Sequence, residues 1–161
     1  MSLFPIISPG VLVVPVGIQF VAATSNSDDE TNYTFSSHGI GTANADRKVV
    51  ICIMQCDNDI SGVTVGGSAC TEAVHADNNN NDCEIWYRNN FSSGTSADII
   101  VSTGGSNSAC EIVVYALTGA ADSPTNTYID VSGNPTSSAI VAAKGAAVIG
   151  CACLKDRKSV V

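Results

Sequence analysis

Two histidines, seven cysteines and a thin scatter of carboxylates are the residues of this chain that can do chemistry. His38 and His75 stand in or beside loop-like stretches, and neither belongs to an HxH or HExxH spacing that would bring two imidazoles to one metal. No GxSxG elbow or phosphate-cradling loop occurs, and Gly39-Ile40-Gly41 lacks the third glycine and following helix of a dinucleotide fingerprint. Asp57-Asn58-Asp59 and the run Asp77 to Asp82 are rich enough in oxygen for calcium. Neither has EF-hand spacing or a terminal Glu, and Asn and Asp favour turns for backbone reasons, so solvated turns are the simpler reading. Glycoside hydrolysis needs two carboxylates facing across a cleft, whereas Glu72, Glu84 and Glu111 fall on different expected strands. Trp86, Tyr87 and Arg88 can form a stacking platform for a sugar, but one tryptophan inside a strand more often packs in the core.

The cysteines are Cys52, Cys56, Cys70, Cys83, Cys110, Cys151 and Cys153. An odd count fits poorly with a disulfide framework, and the absence of CxxC argues against a zinc ribbon. Most sit in apolar runs such as Val50 to Met54 and Cys110 to Val114, so they read as buried thiols acting as small hydrophobes in a protein assembled in a reducing cytoplasm. Cys151-Ala152-Cys153 puts two thiols on one face of an expected strand, where they can bind a soft metal or simply pack side by side, and packing is the simpler reading. The expectation is a non-enzyme with no catalytic, metal or cofactor site.

What must position these residues is a β framework. The 161 residues suit one domain, 45% are hydrophobic, and only 14% are charged. Small polar residues fill the gap and helix formers are scarce, which favours short strands and tight turns. A net charge of -8 with seven basic residues leaves no patch for phosphate, so no nucleic-acid partner is expected. Lys155, Arg157 and Lys158 read as a short basic tail over residues 155–161. The N-terminus lacks a basic leader, and Pro5, Pro9 and Pro15 break any membrane helix, so no membrane partner is expected either.

Residues 1–10 read as an extended apolar arm held open by Pro5 and Pro9. Residues 11–154 read as the folded domain. An apolar run from Val11 to Ala23 predicts a strand with a break at Pro15, then a polar loop from Thr24 to Glu30. Tyr33 to Ser36 predicts a short strand with Tyr33 and Phe35 on one face. Lys48 to Gln55 is apolar on both faces, as a central strand would be. Ile60 to Val65 and Ser68 to Val74 flank Gly66-Gly67 as a hairpin, with Val63 and Val65 on one face. Cys83 to Arg88, Asp98 to Thr103 and Cys110 to Leu117 come next, with a turn expected at Gly104 to Asn107. Tyr128 to Val131, Thr136 to Ala143 and Ala146 to Leu154 are the last candidates. About nine short strands with regular turns predict an all-β, antiparallel β-sandwich, jelly-roll-like, with an extended N-terminal arm.

The order of segments carries a resemblance. YTFSSHGIGTANADRKVVICI (Tyr33 to Ile53) precedes ISGVTVGGSACTEAV (Ile60 to Val74), then IWYRNNFSSGTSADIIVS (Ile85 to Ser102) and CEIVVYALTGA (Cys110 to Ala120). This series resembles a β-sandwich domain of virion proteins of tailed bacteriophages, over roughly residues 11–154. The chain departs from that pattern in stopping at Val161, where similar domains continue with further strands. Completion of the sandwich by the N-terminal run or by a neighbouring subunit is therefore expected.

The resemblance implies a capsid decoration (cement) protein or a tail or fibre component. The decoration reading expects a homo-oligomer, with a trimer as one option, made in the host bacterial cytoplasm and sitting on the outer capsid surface against the major capsid protein or another virion protein. Leu3, Phe4, Ile6, Ile7, Val11 and Leu12 are the expected assembly contacts, because an apolar arm left in water is a liability. Acidic stretches around Asp28-Asp29-Glu30, Asp57 and Asp77 would face solvent. The alternative is a receptor- or glycan-binding domain of a tail or fibre, using a pocket near Trp86.

Overall fold

Strand β3 (Lys48–Gln55) decides the architecture, because its alternate residues are apolar in both registers. Val49, Ile51 and Ile53 are fully buried on one face, and on the other Val50 and Cys52 are only 6% and 2% exposed. A strand buried on both faces must lie inside a sheet with cover on each side. The computed structural model, which describes residues 16–55, 58–76, 82–129 and 146–151, places β3 at the centre of a five-stranded sheet.

Among the described residues the other strands are β1 (Gly17–Asn26), β2 (Glu30–Gly39), β4 (Ile60–Val65), β5 (Ser68–Ala69), β6 (Thr71–Ala76), β7 (Asp82–Arg88), β8 (Ser96–Asn107) and β9 (Cys110–Thr118). One sheet runs β1-β9-β3-β7-β6 and the other β2-β8-β4-β5, with every pairing antiparallel. The pairs β1·β9, β2·β8, β3·β7 and β4·β5 are nested, as they are when one long hairpin is rolled into a jelly roll. The expected all-β antiparallel sandwich is the observed one. Between its sheets lies a single core that includes Tyr33, Phe35, Ile51, Val63, Val65, Trp86, Ile99, Val101, Ile112 and Val114.

Several boundaries differ from expectation for physical reasons. β2 is ten residues long and the loop before it shrinks to three, because Thr, Asn and Ser occupy its solvent face and hide the alternation. The expected strand over Ser68 to Val74 divides at Cys70: β5 pairs with β4 in one sheet, and β6 pairs with β7 in the other. Gly104 and Gly105 are not a turn. They lie within β8 where the 58–59 backbone passes close by: Gly104 N–H donates to the Asp59 carbonyl at 2.9 Å, and a Cβ on Gly105 would stand 3.1 Å from Asn58 Oδ1. The chain instead turns at Ser108 and Ala109, crossing from one sheet to the other. Tyr128-Ile129 and Ala146 to Cys151 belong to no strand. The expected arm over residues 1–10, the strand over Thr136 to Ala143 and the tail over residues 155–161 lie outside the described residues.

Candidate functional site

Three polar arrangements and one apolar face stand out. At the side of the sandwich where β1 and β2 meet, an open groove of about 460 Å³ is lined by Thr24, Ser25, Asn26, Ser27, Thr34, Phe35, Ser36 and His38. A bulge in β2 between Phe35 and His38, with Ser37 in the left-handed region at φ 49°, turns the His38 ring inward. His38 Nδ1 is 2.8 Å from the Gly39 carbonyl, which can only accept, so Nδ1 carries the proton. In the neutral ring Nε2 then accepts from Thr24 Oγ1 at 3.1 Å. The imidazole is thus oriented on both sides and buried edge-on against Phe35. The groove offers hydroxyl and amide groups to a polar ligand.

Arg47 is fully buried, and among the described residues no carboxylate pairs with its guanidinium. It donates to four backbone carbonyls instead: Nε to Phe91 at 2.8 Å, Nη1 to Gly41 at 2.7 Å and Gly94 at 2.9 Å, and Nη2 to Ser93 at 2.8 Å. The Phe91 ring lies 5.5 Å from the guanidinium carbon. This clamp ties the segments before β3 and after β7 together. In the sequence, Arg47 and Lys48 look alike, two adjacent basic residues at the mouth of an apolar strand, and nothing local marks Arg47 as buried.

The third arrangement is Glu84, fully buried on the core face of β7. Its carboxylate accepts from the Trp86 indole N–H and, at 3.3 Å, from the Ile60 N–H, while His75 Nε2 on β6 stands 3.8 Å away. Burial pushes the carboxyl above its ordinary value, and the Trp86 bond, His75 and the Ile60 N–H offset part of that rise. Trp86 is therefore a core residue bonded to a buried acid, which is the simpler of the two readings its place in a strand allowed. Glu72 and Glu111 are exposed on β6 and β9, with β3 and β7 between those strands.

The apolar face is the outside of the five-stranded sheet. Strand register aligns Phe20, Tyr115, Val50 and Tyr87 in one row and Ala23, Val113, Cys52, Ile85 and Val74 in the next. The side of a sandwich sheet facing away from the core is usually polar. Here part of it is shielded by later chain: Asp122 pairs with the buried Lys48 at 3.2 Å, and Gly150 and Cys151 lie over Cys52, Met54, Val113 and Tyr115. At the β1 edge the cover ends. Ile18 and Phe20 are 51% and 59% exposed, with Phe20 edge-on to Tyr115.

The expected contacts Leu3, Phe4, Ile6, Ile7, Val11 and Leu12 lie outside the described residues, as do Asp57 and Asp77. Asp28, Asp29 and Glu30 are exposed at the start of β2, as expected. Among the described residues no group of three or more His, Cys, Asp or Glu is placed to hold a metal ion, and no helix is long and apolar enough to cross a membrane. Comparison of the chain with protein-family models, with curated proteins and with solved structures finds no match.

Proposed function

We propose that the chain is a structural component of a tailed-phage virion, a capsid decoration or cement protein that binds the outer shell and stabilises contacts between capsomers. The observation that carries this reading is the exposed pair Ile18 and Phe20 on edge strand β1. The pair comes directly after the apolar stretch that includes Leu3, Phe4, Ile6, Ile7, Val11 and Leu12. An edge strand with apolar side chains in water invites a partner. A rigid jelly roll joined to such a strand can bridge neighbouring subunits of a shell, and repeated weak contacts around a symmetric particle add up. The test is rebinding to capsids stripped of their outer proteins. Wild-type protein should co-sediment with the shells, while Phe20→Ser and a deletion of residues 1–10 should stay folded and remain in the supernatant. Undiminished rebinding by both variants would overturn the reading.

A second reading is a glycan-binding domain of a tail or fibre, and the hydroxyl-lined groove between β1 and β2 supports it. Saturable binding of a surface glycan that falls on Asn26→Ala would favour this reading over decoration.

A further inference from the structure

Sulfur is gathered on the outer face of the five-stranded sheet. Cys52 and Met54 alternate on β3 and point away from the core, and the cross-strand partner of Met54 on β7 is Cys83. Cys151 reaches the same place from the covering segment, its Sγ 3.7 Å from the Ile53 carbonyl. Cys52, Met54 and Cys151 line one half-open cavity of about 110 Å³, together with Val113, Tyr115 and Gly150. That space exceeds what a single water needs on the same measure, on the order of 10–15 Å³. Val113 and Tyr115 border the sulfurs, and Cys52 is 2% exposed.

We propose that this cavity is a binding site for a soft monovalent metal ion, with Cu(I) as the fitting class. Two thiolates and a thioether are the donors that select Cu(I), while no carboxylate stands among the described residues that line the cavity. Three donors suit a low-coordinate ion better than the four-donor shell of structural zinc. On binding, two S–H protons leave to solvent, two metal–thiolate bonds and one metal–thioether bond form, and no electron is transferred. The ion would staple the segment around Cys151 to β3, adding to the cover over the sheet's apolar face. This pairing crosses from a strand to a distant segment and differs from the Cys151–Cys153 pairing open to sequence reading.

The test is anaerobic titration of the full chain with Cu(I) against a chromophoric Cu(I) chelator. One Cu(I) per chain is expected, with a raised melting temperature. Cys151→Ala lies outside any strand and leaves the sandwich intact, so it is the decisive variant; Cys52→Ala, checked for fold by circular dichroism, is the second. Each should weaken binding at least about a hundredfold, beyond the loss typical of groups that only orient ligands. Met54→Leu should weaken it about tenfold, and Cys70→Ala, at the crossover between the sheets, should leave it unchanged. Failure to compete with the chelator would overturn the proposal. So would full binding by the Cys52→Ala/Cys151→Ala double variant, which keeps five of the seven cysteines.

Discussion

Arg47 brings a charge into the interior and donates from it to four backbone carbonyls. Hydrogen bonds from a charged donor are each worth about 1.5–3 kcal/mol net, and carbonyls stranded without a donor cost more than the bond returns. Arg47→Met should therefore destabilise the fold by at least about 3 kcal/mol in urea denaturation. Arg47→Lys should cost about 2 kcal/mol, because an ammonium cannot reach four carbonyls spread around a planar fork. Glu84 gives a pH signature. Its carboxyl is raised on folding, chiefly by burial. Such a group contributes stability that is fully present below its unfolded value, about 4.3 for Glu, and that is lost as pH climbs through the raised folded value. Melting temperature should fall across that window in the wild type. Glu84→Gln should start lower, since an amide has one acceptor for the two N–H donors of Trp86 and Ile60, and its melting temperature should vary less with pH. Equal slopes in the two proteins would count against the buried-acid account. None of this polar chemistry was legible in the sequence. An arginine, a glutamate and a histidine each look like surface residues until long-range pairing shows what faces them.

At the level of the elements, legibility tracked the strength of local signals. The β4–β5 hairpin could be read from Gly66-Gly67, and both glycines have positive φ, at 56° and 74°, as a two-residue type I′ turn requires. The faces of Tyr33 and Phe35 and of Val63 and Val65 were readable because alternation alone sets them. Glycines in β8 misled, since a turn and the close approach of a neighbouring loop, here residues 58–59, favour the same residue. Ala146 to Cys151 misled for a different reason: its end, Gly150 and Cys151, lies over the sheet without joining it. The hairpin glycines also make a graded prediction. A Cβ on Gly67 meets nothing within 4 Å, so Gly67→Ala pays only for a left-handed backbone, about 1–2 kcal/mol. A Cβ on Gly66 would come 2.9 Å from the Phe91 ring that packs on Arg47, so Gly66→Ala should cost distinctly more. Chemical denaturation of the two variants should rank them in that order.

The whole molecule is best understood as a jelly roll with one dressed face. Its inner core holds the two sheets together, while the outer rows from Phe20 to Tyr87 and from Ala23 to Val74 form a second apolar layer. The sequence led to the expectation that the N-terminal run or a neighbouring subunit completes the sandwich. Strand β1 does close one edge of the five-stranded sheet, through its pairing with β9. Over the face itself, the described residues after β9, 119–129 and 146–151, supply irregular cover, held by Asp122 on Lys48 and by Cys151 against β3. Removing residues 119–161 should leave the nested strand pairs intact but uncover Val50, Cys52 and Val113. Burying an aliphatic side chain is worth about 1.5–3 kcal/mol, so the loss should show as a lower melting temperature. An apolar sheet face in water should also bind a hydrophobic dye and drive the truncated chain to associate in size-exclusion chromatography. A truncated chain that stayed monomeric, bound no dye and melted with the wild type would mean that the outer layer needs no cover. The account of the molecule as a sandwich with a third, irregular layer would then fail.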